Sequence, residues 1–414
     1  MPLSPYLSLF VTLLATTASF AESAPRARDL GIPLEGTPGS YNAITDVPGV
    51  LVGHTTLIEG HGKLVVGKGP IRTGVTAILP RGRKNISHPV YAGWFSLNGN
   101  GEMTGTTFIE EMGELFGPVM ITNTHSVGVV RDAVVQWTFN EHKWLSSLPV
   151  VAETLDGPWG ASWAGLNDAN GFHVKPEHVF SALSSARGGP VEEGSVGGGT
   201  GMVCNEFKGG IGTASRVVEI EDDQFTVGVL VQCNYGMRRW LRIAGVPVGL
   251  EMPEPVICYE GDVPPGREDP SCGNRGSNRA VDLGSIIVVV ATDAPLLPHQ
   301  LKRVARRVGL ALGRMGSSSG DGSGDIFLAF STANLSSGEV RARQSVESIR
   351  NTWLTGIFEA TSLATEEAII NSMLAARTMV GADNLRVPAL PQDQLVAVLK
   401  RYNRHEERAG PPAP

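Results

Sequence analysis

Residues 281–298 read VDLGSIIVVVATDAPLLP, and residues 315–334 read MGSSSGDGSGDIFLAFSTAN. The first stretch holds the most hydrophobic strand candidate of the chain, 286–291. A β-branched run without polar alternation suits a strand buried on both faces. The second stretch ends in a further strand candidate, 326–330. Between them, Leu301, Val304, Ala305, Val308 and Leu312 recur at helical spacing over residues 298–315. Lys302, Arg303, Arg306, Arg307 and Arg314 lie mostly off that stripe, which describes an amphipathic helix with a solvated basic face. Ser285 stands between a bendable glycine, Gly284, and the buried strand. On its own such a pair fits an ordinary loop-to-strand junction as well as a held nucleophile.

Upstream, residues 251–282 are dominated by Pro, Gly, Glu, Asp and Arg and show no apolar period. They read as a long exposed connector. An accessible chain directly before an embedded strand is what proteolytic processing requires. Earlier in the chain, turn-and-strand patterns occupy 44–57 and 73–79, and the turn formers LNGNGEMTG fill 97–105. A helix is expected to open at 106, and a strand to cover 119–130, with His125 at its polar centre either structural or functional. A short strand follows at 150–153, after Pro149. A helix is expected at 176–186 and a strand pair at 211–218 and 225–231. The last expected helix covers 365–380, opened by Thr365 and Glu366 and closed by Gly381. Residues 406–414 read as a disordered tail. The glycine-rich GSVGGGTGM, 194–202, lacks the residues of a nucleotide loop and suits a close approach of main chain to a strand or substrate. Strands at the centre with helices on both sides predict an α+β sandwich forming one domain.

The chain has 414 residues, 42% of them apolar, enough for a sizeable core. Its 51 glycines follow no period and point to tight turns in a strand-rich fold. A net charge of -7 speaks against nucleic acid or an anionic membrane as partner. Residues 7–15 are apolar and too short to span a bilayer, and Ser19 and Ala21 are small residues before Glu22. Residues 1–21 are therefore expected to be a secretory signal peptide, with a periplasmic or secreted product. Of the four cysteines, Cys258 and Cys272 are 14 residues apart and can close a local disulfide; Cys204 and Cys233, beside apolar segments, read as buried free thiols. No metal-ligand spacing occurs, and neither metal nor cofactor is expected.

These stretches, taken together, resemble the DmpA/BapA family of self-processing aminopeptidases of the N-terminal nucleophile type. The matching segments are ITDVPGVLVGH (44–54), GNGEMTG (99–105), ITNTHSVG (121–128), VAET (151–154), LNDANG (166–171), EGSVGGGTGM (193–202), FKGGIGTASR (207–216), CNYG (233–236), 284–298 and 323–334. The resemblance implies a four-layer α/β/β/α sandwich and cleavage between Gly284 and Ser285. An α chain, 22–284, and a β chain, 285–414, would then form one catalytic domain. It also implies a homo-oligomer of the two-chain unit, a tetramer. Cleavage frees an α-amine on Ser285, with an unperturbed pKa near ~8. That amine can accept the hydroxyl proton without a histidine.

The same resemblance places Ser323 beside the nucleophile, with Asp325 orienting it where the family carries glutamate. It makes the Asn234 side chain an oxyanion donor and lets Glu153 hold a substrate ammonium. One departure stands out: the family's aromatic hydroxyl after VAET is Leu155 here. The following GPWGASWAG, 157–165, carries Trp159 and Trp163 as candidate pocket walls. The implied activity is release of N-terminal residues, D- or β-amino acids as well as small L-residues, from short peptides, amides or esters. An aminoacyl transferase of the same fold group and a non-catalytic periplasmic binding protein are the alternatives.

Overall fold

The computed structural model describes residues 24–143, 148–158, 160, 165–268, 270–273, 284–334 and 342–407. The expected signal peptide, Trp159, Trp163, residues 274–283 of the connector and the tail from 408 lie outside the described residues.

The strand–helix–strand unit read from the sequence is the centre of the molecule. Strands β12 (Ser285–Thr292) and β13 (Asp325–Ser331) pair in parallel, with Ile286 opposite Asp325, and every residue of both is buried. A parallel pair needs a crossover, and helix α5 (Pro298–Arg314) supplies it. Pro298 sits at the first helical position, where no N–H is needed. The Gln300 side chain accepts the Leu297 N–H at 2.9 Å. Leu301, Val304, Ala305, Val308 and Leu312 form the buried stripe, as the spacing predicts.

Around this pair a six-stranded sheet forms in the order β4 (Glu114–Leu115), β3 (Val90–Ser96), β13, β12, β10 (Asp223–Asn234), β9 (Gly210–Ile220). A second sheet runs β1 (Leu51–Glu59), β2 (Ile71–Leu79), β5 (Val119–Asn123), β6 (Val150–Thr154). Alternation along a strand assigns each side chain a layer. Ile287, Val289 and Leu328 meet Ile78, Ile121 and Ala152 between the sheets. Ile286, Val288 and Phe327 point the other way, onto α5 and α6 (Thr355–Leu374). Val75, Ala77 and Met120 pack outward against α2 (Val127–His142) and α3 (Pro176–Ser185). The architecture is the four-layer α/β/β/α sandwich. The remaining elements are peripheral: α1 (Thr106–Met112), α4 (Val248–Glu251), α7 (Gln392–Arg401), the ribbon β7 (Val203–Cys204) with β8 (Phe207–Lys208), and a small sheet of β11 (Cys258–Tyr259), β15 (Leu385–Val387) and β14 (Met379–Val380).

Several local expectations are corrected. The strand expected over 119–130 stops at Asn123, and α2 takes over at Val127. Val130, Ala133, Val134 and Trp137 are buried at helical spacing, so packing overrides the β propensity of VGVV. Helix α6 starts ten residues before the expected Thr365 and ends at Leu374. Thr365 is no cap; its hydroxyl donates to the Thr361 carbonyl one turn back, at 2.7 Å. The connector is not uniformly exposed: Ile257, Cys258 and Tyr259 are buried, and β11 pairs with β15. Cys258 and Cys272 are bonded, as expected, with Cα atoms 4.9 Å apart. Cys204 and Cys233 are bonded as well, not free thiols, because β7 folds against β10 and brings their Cα atoms to 5.5 Å. The glycine-rich turn Gly197–Gly199 is a close-packing device: a Cβ on Gly198 would meet the Ile121 carbonyl oxygen at 2.7 Å. Among the described residues no helix is long and apolar enough to cross a membrane.

Candidate active site

The end of β10 and the start of β13 flank Ser285, the first residue of β12. The antiparallel register of β10 and β12 places Asn234 opposite Ser285. The parallel register of β12 and β13 brings the Ser323–Asp325 segment alongside. Ser285 is 8% exposed, and its Oγ accepts the Gly324 N–H at 3.0 Å. Ser323 is fully buried. Its hydroxyl lies within hydrogen-bonding reach of both the Gly284 carbonyl oxygen and Asp325 Oδ1, the latter at 2.9 Å. Gly284 fits because it has no side chain; a Cβ would sit 2.3 Å from the Asn234 carbonyl oxygen.

The loop that carries Ser323 is fastened by the LNGNG turn. Asn98 Nδ2 donates to the Gly320 carbonyl at 3.0 Å, and Asn100 Nδ2 to that of Gly322 at 2.7 Å. Asn98 Oδ1 accepts the Asp325 N–H at 2.7 Å. The sequence marked this turn only as a bend; the paired asparagines were its signal for side-chain-to-backbone bonding.

Asn234 is held at both ends of its amide. Oδ1 accepts the Val203 N–H at 2.8 Å and Nδ2 donates to the Leu155 carbonyl at 2.9 Å. An amide nitrogen carries two protons, so a second donor remains for an oxyanion. The Cys204–Cys233 bond anchors the β7 segment that presents Val203. Leu155 contributes its main chain here. Its side chain packs with Leu166, Val203, Ile257 and Tyr259 in a satellite core.

Glu153, at 4% exposure, lies across the site. Its Oε1 accepts the Glu102 N–H at 2.8 Å, and Oε2 accepts the Thr124 hydroxyl. Gly101 links it to the nucleophile loop: a Cβ there would lie 3.2 Å from Gly324 Cα and 3.3 Å from Glu153 Oε1. Burial raises the Glu153 pKa, opposed by the Thr124 hydroxyl and the Glu102 N–H. A buried acid with too little positive charge near it is a receptor for a cation. His125 is exposed and stacks on Phe172, with ring centroids 5.8 Å apart. Among the described residues no group of three or more His, Cys, Asp or Glu side chains is placed to hold a metal.

The arrangement therefore offers a buried serine hydroxyl, a second hydroxyl backed by a carboxylate, an oriented amide donor and an acid for an ammonium group. Those are the parts of an acyl-transfer site that selects a free amino end. A family model for peptidase family S58 matches residues 42–387. The chain belongs to peptidase family S58. It is accordingly a hydrolase acting on peptide bonds, an aminopeptidase. Among its S58 relatives, the beta-peptidyl aminopeptidase BapA of Sphingosinicella microcystinivorans is 54% identical over 400 residues, 96% of this chain and 97% of that one. BapA of Sphingosinicella xenopeptidilytica is 46% identical, covering 96% of each. The L-aminopeptidase D-Ala-esterase/amidase of Ochrobactrum anthropi, described as a variant of the Ntn hydrolase fold, superposes with a TM-score of 0.80. It is 46% identical and covers 92% of this chain and 99% of its own. A Burkholderia sp. beta-aminopeptidase gives 0.76 at 45% identity, covering 91% and 98%.

Proposed function

We propose that Ser285 is the nucleophile of this aminopeptidase and that the chain activates itself by cleaving its own Gly284–Ser285 bond. The carrying observation is the Ser323 hydroxyl set against the Gly284 carbonyl oxygen, with Ser285 Oγ on the next residue. Ser285 Oγ attacks the Gly284 carbonyl carbon, and the charge growing on its oxygen falls against the Ser323 hydroxyl. The C–N bond breaks, the departing nitrogen takes the hydroxyl proton, and Gly284 is left as an ester on Ser285. Water then hydrolyses that ester, giving a Gly284 carboxylate and Ser285 with a free α-amine and a free hydroxyl.

In turnover the α-amine accepts the Ser285 hydroxyl proton as Oγ attacks the substrate carbonyl. Asn234 Nδ2 donates to the oxyanion and Glu153 pairs with the substrate ammonium. The leaving amine takes the proton, and water releases the acyl group. Short peptides, amides and esters fit, with β-amino acids at the N-terminus favoured by the names of the S58 relatives. The same reading takes residues 1–21 as an export signal, places the enzyme in the periplasm or outside the cell and assembles the two-chain unit into tetramers. The two disulfides support an oxidising compartment.

Intact mass with N-terminal sequencing tests the mechanism. Two chains, one beginning SIIVVV, are expected from the native protein, and one inactive chain from Ser285→Ala. A single chain in an active native protein, or full activity in Ser285→Ala, refutes it.

A further inference from the structure

Lys208 lies in FKGGIGTASR, 207–216, and has no part in the chemistry above. It is a fully buried lysine on β8. A lysine is seldom placed in a protein interior unless its nitrogen is paired. Here Nζ donates to two main-chain carbonyls, those of Met202 and Gly209, each at 2.8 Å. Both forms of the side chain can make both bonds, since an amine has two N–H groups and an ammonium three. Burial lowers the Lys208 pKa to about 7, and the tie outlasts the loss of that proton.

The two carbonyls flank the mouth of the β7–β8 ribbon: Met202 precedes β7 and Gly209 follows β8. The ribbon pairs Val203 with Lys208 and Cys204 with Phe207, around a turn in which Asn205 and Glu206 both have positive φ. A hairpin this short has little stability of its own and is held by its surroundings. At the tip, the Asn205 N–H donates to the Tyr235 carbonyl at 2.7 Å. In the middle, Cys204 is bonded to Cys233. At the mouth, Lys208 Nζ bridges the two carbonyls, and the Gly209 N–H donates to that of Met202 at 3.1 Å. The fit there is close: a Cβ on Gly209 would lie 2.4 Å from the Cys204 Cβ and 2.8 Å from the Cys233 carbonyl oxygen. Val203, the residue after Met202, uses its N–H to hold Asn234 Oδ1 at 2.8 Å. A shift at the mouth of the ribbon therefore moves the group that orients the Asn234 amide.

We propose that Lys208 is a positioning residue for the oxyanion donor: by closing the mouth of the β7–β8 ribbon it keeps the Val203 N–H on Asn234 Oδ1 and so aims Asn234 Nδ2. This rests on the oxyanion role given above to Asn234. The effect belongs to the transition state, because the oxyanion exists only there.

The test is a double-mutant cycle on an aminoacyl p-nitroanilide. Native enzyme, Lys208→Met, Asn234→Ala and the double variant are each assayed as the self-cleaved two-chain form. Methionine keeps an unbranched apolar stem and removes both Nζ bonds. Asn234→Ala is expected to lower kcat by roughly 10²–10³. Lys208→Met is expected to lower kcat by about tenfold, with KM within about twofold of native. In the Asn234→Ala background the same substitution should lower kcat by less than about twofold, because the group it aims is gone. Equal losses in the two backgrounds are what a purely structural lysine would give, and they overturn the proposal. So does native kcat in a folded Lys208→Met enzyme, or a rise in KM with kcat unchanged. Lys208→Gln, shorter but still a donor, is expected to lose less kcat than Lys208→Met. Should the methionine variant fail to fold or to self-cleave, the glutamine variant takes its place in the cycle under the same criteria. The two failures are distinguishable: native kcat in Asn234→Ala refutes the oxyanion role and the proposal with it, whereas a slow Asn234→Ala with equal losses in both backgrounds refutes the role of Lys208 alone.

Discussion

Glu153→Gln separates substrate recognition from folding. The side chain keeps its shape: Gln Oε1 still accepts the Glu102 N–H, and the Thr124 hydroxyl can turn to accept from the new amide. What disappears is the charge. A charged hydrogen bond in a buried site contributes about 1.5–3 kcal/mol. Since 1.4 kcal/mol is roughly tenfold, kcat/KM for a free-amine substrate should fall about 10- to 150-fold. Most of the fall should appear in KM, because the ammonium is bound equally in the ground and transition states. Folding should respond in the opposite sense. Burial raises the Glu153 pKa above its unfolded value, so the native state binds the extra proton, and stability drops as pH rises through that window. Glutamine removes the titration, and the variant should melt at or above the native temperature at neutral pH.

A double-mutant cycle reads the coupling directly. Native enzyme and Glu153→Gln are each assayed on an aminoacyl p-nitroanilide and on its N-acetylated counterpart. If Glu153 recognises the ammonium, acetylation penalises the native enzyme heavily and the variant little, with a coupling of about 1.5 kcal/mol or more. Equal penalties would refute the assignment, even if Glu153→Gln were slow for some other reason.

Ser323→Ala removes the hydroxyl beside the Gly284 carbonyl, and self-cleavage followed by gel should slow by roughly 10²–10³; cleavage at the native rate would contradict the role. Replacing Cys204 and Cys233 together by serine opens a link spanning 29 residues, with an expected loss of roughly 3–4 kcal/mol in denaturant unfolding. The same change should loosen Val203 and lower kcat more than it raises KM. Glu367 and Arg216 form a buried ion pair at 2.7 Å, also joined by Arg28. Glu367→Gln should destabilise by about 3–5 kcal/mol, because an uncompensated guanidinium stays buried; an unchanged melting temperature would show that water reaches it.

What the sequence made legible follows from local physics. The β12–α5–β13 unit was readable because both of its periods are undisturbed: an unbroken β-branched run and a clean helical stripe. Helix α6 was misjudged because it is buried on nearly every side, so no amphipathic contrast marks its start, and Thr365 imitates a cap. The Cys204–Cys233 bond depends on the β7–β8 ribbon folding against β10 across 29 residues, which neither spacing nor hydropathy encodes. Ser285, Ser323, Asp325, Asn234 and Glu153 were named from the family resemblance, and the structure places Asn234 and the 323–325 segment beside Ser285 and Glu153 beside Gly101, which adjoins that segment. Asn98, Asn100 and Thr124 were not found, since each acts through backbone or through another side chain.

That division has a structural cause. Asn123 and Thr154 end neighbouring parallel strands, Asn234 ends β10, Ser285 opens β12 and Asp325 opens β13. At such ends the ladder of main-chain bonds stops while the chain is still buried, so N–H and C=O groups need side-chain partners. A polar layer between the two sheets supplies them. Gln232 Nε2 reaches the Thr122 carbonyl at 2.9 Å and Thr154 Oγ1 at 2.8 Å, and Asn167 Oδ1 accepts the Arg72 N–H at 2.9 Å. A fully satisfied buried network is rigid, and one missing donor unsettles all of it. The aim of the site groups in this sandwich therefore depends on buried polar side chains beside them as well as on the groups themselves.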